Sequence, residues 1–183
     1  MEPSIYIISG ISGSGKSTIS DLLIERHPKL SRAITATSRT PRPGELFGYH
    51  YFFVDRERFE WLKETDQLLE YTAPFTGHLY GTLRYAVDQI LKQGGAVLFV
   101  VDIHGVESIT KHFPNARTVF LQAPSEDEQR IRLERRGTVG DELTARIKLA
   151  RDEHQKAGQL GIKVVVNDVL EEALAQVESI FFK

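Results

Sequence analysis

The chain has 183 residues, of which 41% are hydrophobic and 26% charged, a composition suited to one domain, or a core with insertions, that buries a sizeable interior. Its formal net charge of −2 gives no global electrostatic case for nucleic acid or an anionic membrane as partner. Cysteine is absent, which excludes disulfides, thiolate nucleophiles and cysteine-based zinc sites.

Met1-Glu2-Pro3-Ser4 leads straight into the first predicted strand. No basic, apolar and cleavage segments follow in the order of a secretory leader, and the longest apolar run, Ala96 to Val101, is far too short for a bilayer. The expectation is a cytoplasmic protein with no membrane or nucleic-acid partner.

In chain order, predicted strands cover Ile5–Ser9, Ala33–Ala36, Ala96–Asp102, Thr118–Gln122 and Lys163–Val166. Predicted helices cover Lys16–Glu25, Leu83–Lys92, Val106–Lys111, Glu126–Arg135, Glu142–Ala157 and Leu170–Phe181. Strands alternating with helices predict an α/β fold, a three-layer α/β/α core around a parallel sheet. Two stretches break the alternation. Residues 37–82 read as a small β-rich insertion, with a strand at Tyr51–Val54, a short helix near Glu57–Lys63 and an extended segment at Leu68–Phe75. Residues 135–158 open with Arg135-Arg136-Gly137-Thr138-Val139-Gly140 and read as a helical lid. The core is then 1–36, 83–134 and 159–183, in one compact unit. Insertions over the carboxyl ends of parallel strands are where a second substrate and a closing lid belong.

Gly10-Ile11-Ser12-Gly13-Ser14-Gly15-Lys16-Ser17-Thr18 fits the phosphate loop pattern G-x-x-x-x-G-K-[ST], and it stands between a predicted strand and a predicted helix. Glycines at Gly10, Gly13 and Gly15 let backbone N–H groups converge on phosphate oxygens, with Ser12, Ser14 and Thr18 completing the loop. The helix that follows offers unpaired N–H groups and a positive dipole end. Lys16 can reach the β- and γ-phosphates of ATP, and the Ser17 hydroxyl can ligate Mg²⁺. Asp102 closes the apolar run from Ala96, a position where an acid points into the ligand crevice and helps hold Mg²⁺, directly or through water. The same residue type also caps the turn before Gly105.

Arg39 and Arg42 flank Pro41, with Pro43 following. Proline stiffens the segment, and paired guanidinium groups suit a phosphate; a solvated basic loop is the competing reading. His50, His78, His104 and His112 show no metal-ligand spacing.

Thr37-Ser38-Arg39-Thr40-Pro41-Arg42-Pro43-Gly44-Glu45, with Gly48, Tyr51 and Phe53 behind it, resembles the acceptor-binding signature of guanylate kinases, P-loop nucleoside monophosphate kinases. Tyr80-Gly81-Thr82, Asp102-Ile103-His104-Gly105, Ala123-Pro124-Ser125, the Arg132 to Gly137 run, Arg146 and Val166-Asn167-Asp168 follow in the family's order, so the resemblance spans essentially the whole chain. It implies ATP-dependent phosphorylation of GMP, and of dGMP as a second acceptor. It implies that Arg39, Arg42, Tyr51 and Tyr80 hold the GMP phosphate. Thr35, Glu70 and Thr82 would meet guanine, with Asp102 beside the acceptor. Lys16, Arg136 and Arg146 would be catalytic, and Asn167 would lie near adenine. Guanine presents donors at N1 and N2, so a carboxylate at Glu70 can accept both. On the residues alone, an exposed acid is the plainer reading of Glu70. Three departures stand out: Val100 where the family usually has an acid, His104 where it commonly has Gln, and a shorter segment from Arg136 to Arg146. The alternatives are a kinase of the same fold acting on another nucleotide or a ribose bisphosphate, and a non-catalytic phosphopeptide-binding module. The intact phosphate loop and the lid arginines argue against the module.

Overall fold

The computed structural model describes residues 4–73 and 77–183. The chain runs β1 (Ile5–Gly10), α1 (Lys16–Arg26), β2 (Leu30–Arg32), β3 (Thr35–Thr37), β4 (Tyr51–Phe53), α2 (Arg56–Glu64), β5 (Leu68–Thr72), β6 (Tyr80–Leu83) and α3 (Arg84–Lys92). It continues through β7 (Ala96–Val100), α4 (Ile103–His112), β8 (Arg117–Gln122), α5 (Glu126–Arg135), α6 (Gly140–Gln159), β9 (Lys163–Val166) and α7 (Leu170–Phe182).

Five strands make a parallel sheet in the order β2-β7-β1-β8-β9. Because successive strand residues face opposite sides, each central strand feeds two cores. Ile7, Phe99 and Phe120 pack with Ile103, Val106 and Ile109 of α4 and Ala150 and Ala157 of α6. Their neighbours Ile8, Leu98 and Leu121 pack on the other face with Ile19 and Leu23 of α1 and Leu174 and Phe181 of α7. The predicted three-layer α/β/α core is thereby present.

The second sheet has the order β4-β3-β6-β5 and is mixed: β3 pairs β4 in parallel and β6 antiparallel. Phe59 and Leu62 of α2 back it, against Ala36, Leu68 and Leu79. In place of one strand over Ala33–Ala36 the chain has two, Leu30–Arg32 and Thr35–Thr37. The main sheet takes Leu30–Arg32, and the chain then crosses over so that Thr35–Thr37 joins the small sheet. No glycine or proline marks the crossover between Leu30 and Thr37: Ala33 still bonds Leu98 O through its N–H, while Thr35 already pairs with Thr82. Tyr80–Leu83 was not foreseen as a strand, since its four residues include a glycine. The extended segment predicted over Leu68–Phe75 is strand through Thr72, and Phe75 lies outside the described residues. Helix α4 starts at Ile103 rather than Val106 because Asp102 caps it, its carboxylate accepting the Gly105 N–H at 2.8 Å. No described helix is long and apolar enough to cross a membrane.

Candidate active site

A cleft of about 400 Å³ lies between the carboxyl end of the main sheet, the small sheet and α6. Its floor is the phosphate loop. Gly10 and Gly15 are forced by geometry. Gly10 has φ +146°, and a Cβ there would come within 2.1 Å of Leu121 O. Gly15 has φ +90°, and a Cβ would come within 2.2 Å of Asn167 Nδ2.

Three side chains brace the loop from outside it. Asn167, expected beside adenine, donates its side-chain amide to Ser14 O at 2.8 Å. Gln129, buried on α5, donates to Ser12 O at 2.9 Å. Arg146 on α6 donates to Ser12 Oγ at 3.2 Å while pairing with Glu142 at 2.8 Å. Lys16 folds back on the loop and donates to the carbonyls of Gly10 and Ile11. Burial pushes its ammonium below the ordinary range, and Arg136 and Arg146 add to this; Glu153 and Asp102 oppose it. The Ser14 hydroxyl is buried without a partner among the described residues. Thr18, at the start of α1, is exposed.

The residues expected to meet the acceptor, Thr35, Tyr51, Glu70, Tyr80 and Thr82, converge from β3, β4, β5 and β6. Glu70 is buried at 5% exposure, and its Oε1 accepts the Thr82 hydroxyl at 2.7 Å. Its Oε2 is buried with no partner among the described residues. Burial raises its carboxyl to about 7; the Thr82 hydrogen bonds oppose the rise, and the Asp102 charge adds to it. Thr35 stands across the sheet from Thr82. The reading of Glu70 as an exposed acid is thereby set aside.

Arg39 is buried and ion-paired with Glu45, and its Nε donates to the Tyr80 hydroxyl at 3.3 Å. The Tyr51 ring lies 5.4 Å from the Arg39 guanidinium carbon and 6.1 Å, edge-on, from the Tyr80 ring. Arg42 and Arg136 both line the cleft, and their charges are close enough that Arg42 helps burial hold the Arg136 guanidinium below its usual range.

Asp102 lines the cleft beside the loop. Its Oδ1 takes the Gly105 N–H, and its Oδ2 accepts the Thr72 hydroxyl at 3.1 Å. The capping reading and the crevice reading therefore both hold for one side chain. Among the described residues no group of three or more metal-ligating side chains occurs. Ser17 and Asp102 are a sparse, hard oxygen set, which fits a Mg²⁺ ion that keeps most of its contacts with phosphate and water.

One acid was missed in the sequence. Glu153 on α6 lines the cleft, and burial raises its carboxyl to about 7; Lys16 opposes that rise, Asp102 adds to it and Arg146 opposes it. Nothing local marks it, because it reaches the loop only through the packing of α6. Farther along α6, Lys156 pairs with Glu107 at 2.6 Å and donates to His104 Nδ1 at 3.1 Å, joining that helix to α4.

A parallel sheet with a glycine loop opening a helix, facing an arginine-bearing second sheet and a helix that reaches back over the loop, defines a P-loop kinase. Comparison with known proteins narrows the class. The guanylate kinase family model matches residues 2–183, and the chain belongs to that family. It is 36% identical to the guanylate kinase of Trichodesmium erythraeum, across 97% of this chain and 95% of that one. It is 40% identical to the guanylate kinase of Synechococcus sp. strain CC9311, across 94% and 90%. The crystal structure of guanylate kinase from Anaplasma phagocytophilum superposes with a TM-score of 0.78 at 25% identity, covering all of this chain and 89% of that one.

Proposed function

We propose that the chain is an ATP:GMP phosphotransferase, producing ADP and GDP, with dGMP as a further acceptor. The observation that carries the acceptor's identity is the Oε2 of Glu70, buried in the cleft with no partner among the described residues. Guanine offers N1–H and N2–H side by side, so Glu70 accepts both, and Thr35 and Thr82 flank it. Adenine offers no matching pair and leaves the carboxylate stranded, which is how a buried polar group discriminates.

The GMP phosphate is held by Arg39, Arg42, Tyr51 and Tyr80. One of its oxygens attacks the γ-phosphorus of ATP. A P–O bond forms there, the bond to the β-γ bridging oxygen breaks, and ADP leaves with that electron pair. No general base is needed, since a phosphate monoester is mostly dianionic near neutral pH. Catalysis then rests on position and charge. Lys16 exchanges its carbonyl partners for the β- and γ-phosphates, while the loop N–H groups and the α1 terminus hold the triphosphate. Arg136 and Arg146 meet the transferring phosphoryl, and closure over it excludes water. Ser17 and Asp102 would hold Mg²⁺, which would supply neutralisation of phosphate charge. The small sheet with α2, from Thr35 to Leu83, serves as the acceptor unit, the segment from Arg135 through the N-terminal half of α6 as the lid, and the rest as the ATP-binding core, into which Ala150 and Ala157 pack; Asn167 places the loop beside the adenine subsite.

The test is ADP formation from ATP and Mg²⁺ against GMP, dGMP, AMP, UMP and sugar phosphates. Turnover with GMP well above the others is expected. Turnover with a non-guanine acceptor alone would overturn Glu70's role, and none with any acceptor would overturn the kinase reading.

A further inference from the structure

We propose that Glu45 is a positioning residue for the acceptor phosphate: it grips the end edge of the Arg39 guanidinium so that the side edge, with the Tyr80 hydroxyl, faces the incoming phosphate. The inference rests on the acceptor reading above. Arginine has five N–H donors in a fixed plane. In Arg39, Nη1 donates to Glu45 Oε2 at 2.8 Å and Nη2 to Glu45 Oε1 at 2.9 Å, a bidentate pair. The second Nη1 hydrogen goes to Thr40 O at 2.7 Å, and Nε–H goes to Tyr80 Oη at 3.3 Å. One N–H remains among the described partners, on Nη2. With the end edge occupied, that hydrogen lies on the same side as Nε, next to Tyr80. The Tyr80 oxygen accepts from Arg39, which leaves its own hydrogen to donate.

Glu45 also fixes the second arginine. Its Oε2 accepts the Arg42 backbone N–H at 2.7 Å, between two prolines that already stiffen the segment. One carboxylate therefore ties the Arg39 guanidinium to the Arg42 backbone. Burial pushes the Glu45 carboxyl up, but Arg39 and the Arg42 N–H more than offset this, so it stays ionised and paired.

The competing physical picture is a placeholder: a carboxylate that occupies the phosphate's position and is displaced by it. Kinetics of Glu45→Gln and Glu45→Asp separate the two. For a positioning residue, KM and Kd for GMP rise about tenfold or more in Glu45→Gln. The KM for ATP stays put, kcat changes less than KM, and Glu45→Asp recovers part of the loss. An unchanged or lowered KM for GMP, or an equal rise for ATP, overturns the proposal. A crystal structure of the wild-type GMP complex decides the matter without any variant: the Arg39–Glu45 pair persists with phosphate on the Nη2 side, or it has been broken by phosphate, which refutes the inference. Wild-type protein that phosphorylates GMP while Glu45→Gln behaves identically sinks this inference alone; wild-type protein without turnover sinks the acceptor reading instead.

Discussion

Glu70→Gln changes one oxygen to an NH₂ in a buried position, and it separates binding from stability. In the free protein the carboxyl is raised from 4.5 to about 7, mainly by burial. Below pH 4.5 it is protonated in both folded and unfolded chains, and it causes no penalty. As pH rises from 4.5 to about 7, the unfolded chain ionises and the folded one resists, so stability is lost across that window and the loss is complete above 7. The gap between the two values corresponds to about 3 kcal/mol at the alkaline end. Glutamine lacks this term. The variant should therefore gain on the wild type in melting temperature between pH 5 and pH 8, without GMP. Toward GMP the change is opposite. The carboxylate would accept two guanine donors, each charge-assisted bond being worth about 1.5–3 kcal/mol, and glutamine keeps only one acceptor atom. The kcat/KM for GMP should fall about 10²–10³-fold, from a loss of roughly 3–4 kcal/mol. Thermal melts at the two pH values and steady-state kinetics measure both effects. A kcat/KM for GMP within about threefold of wild type would refute the assignment of Glu70 to guanine.

Three further perturbations probe the remaining parts of the site. Lys16→Met should reduce kcat by about 10³-fold or more, with an unchanged circular dichroism spectrum, because the β- and γ-phosphates lose their lysine; retained turnover contradicts the loop assignment. Asn167→Ala strands the Ser14 carbonyl, at a cost of about 1–3 kcal/mol in stability. Its KM for ATP should rise more than its KM for GMP, and melting temperature with a two-substrate kinetic matrix checks this. Val100 lines the cleft two residues before Asp102, so Val100→Asp places a second acid there and should alter GMP affinity or guanine-over-adenine selectivity; kinetics unchanged for both bases would show that this position is silent.

The phosphate loop was legible in the chain because its glycines answer to backbone geometry that no other residue meets, as Gly10 and Gly15 show. Arg39 and Arg42 were legible as a pair because stiffness and charge sit within a short span, while Tyr51 came only with the resemblance. Tyr80 and Glu70 needed the resemblance, since their meeting depends on β5 pairing β6. The crossover after Arg32 was hidden because no glycine or proline separates Leu30–Arg32 from Thr35–Thr37, two short strands that join different sheets. Asp102 was read as a crevice acid, and its hydrogen bonds add a helix cap. Gln129 and Glu153 left no local signal: each lies on a helix whose face toward the loop is set by tertiary packing. Glu45 stood inside a recognised motif, but its grip on both arginines follows from loop geometry alone.

Transfer of labelled γ-phosphoryl from ATP to GMP tests the central claim most directly. With Mg²⁺ and GMP present, the account predicts that the label moves into the β-position of GDP in step with ADP formation. Label released as inorganic phosphate, or retained in ATP while GMP is unchanged, would contradict it.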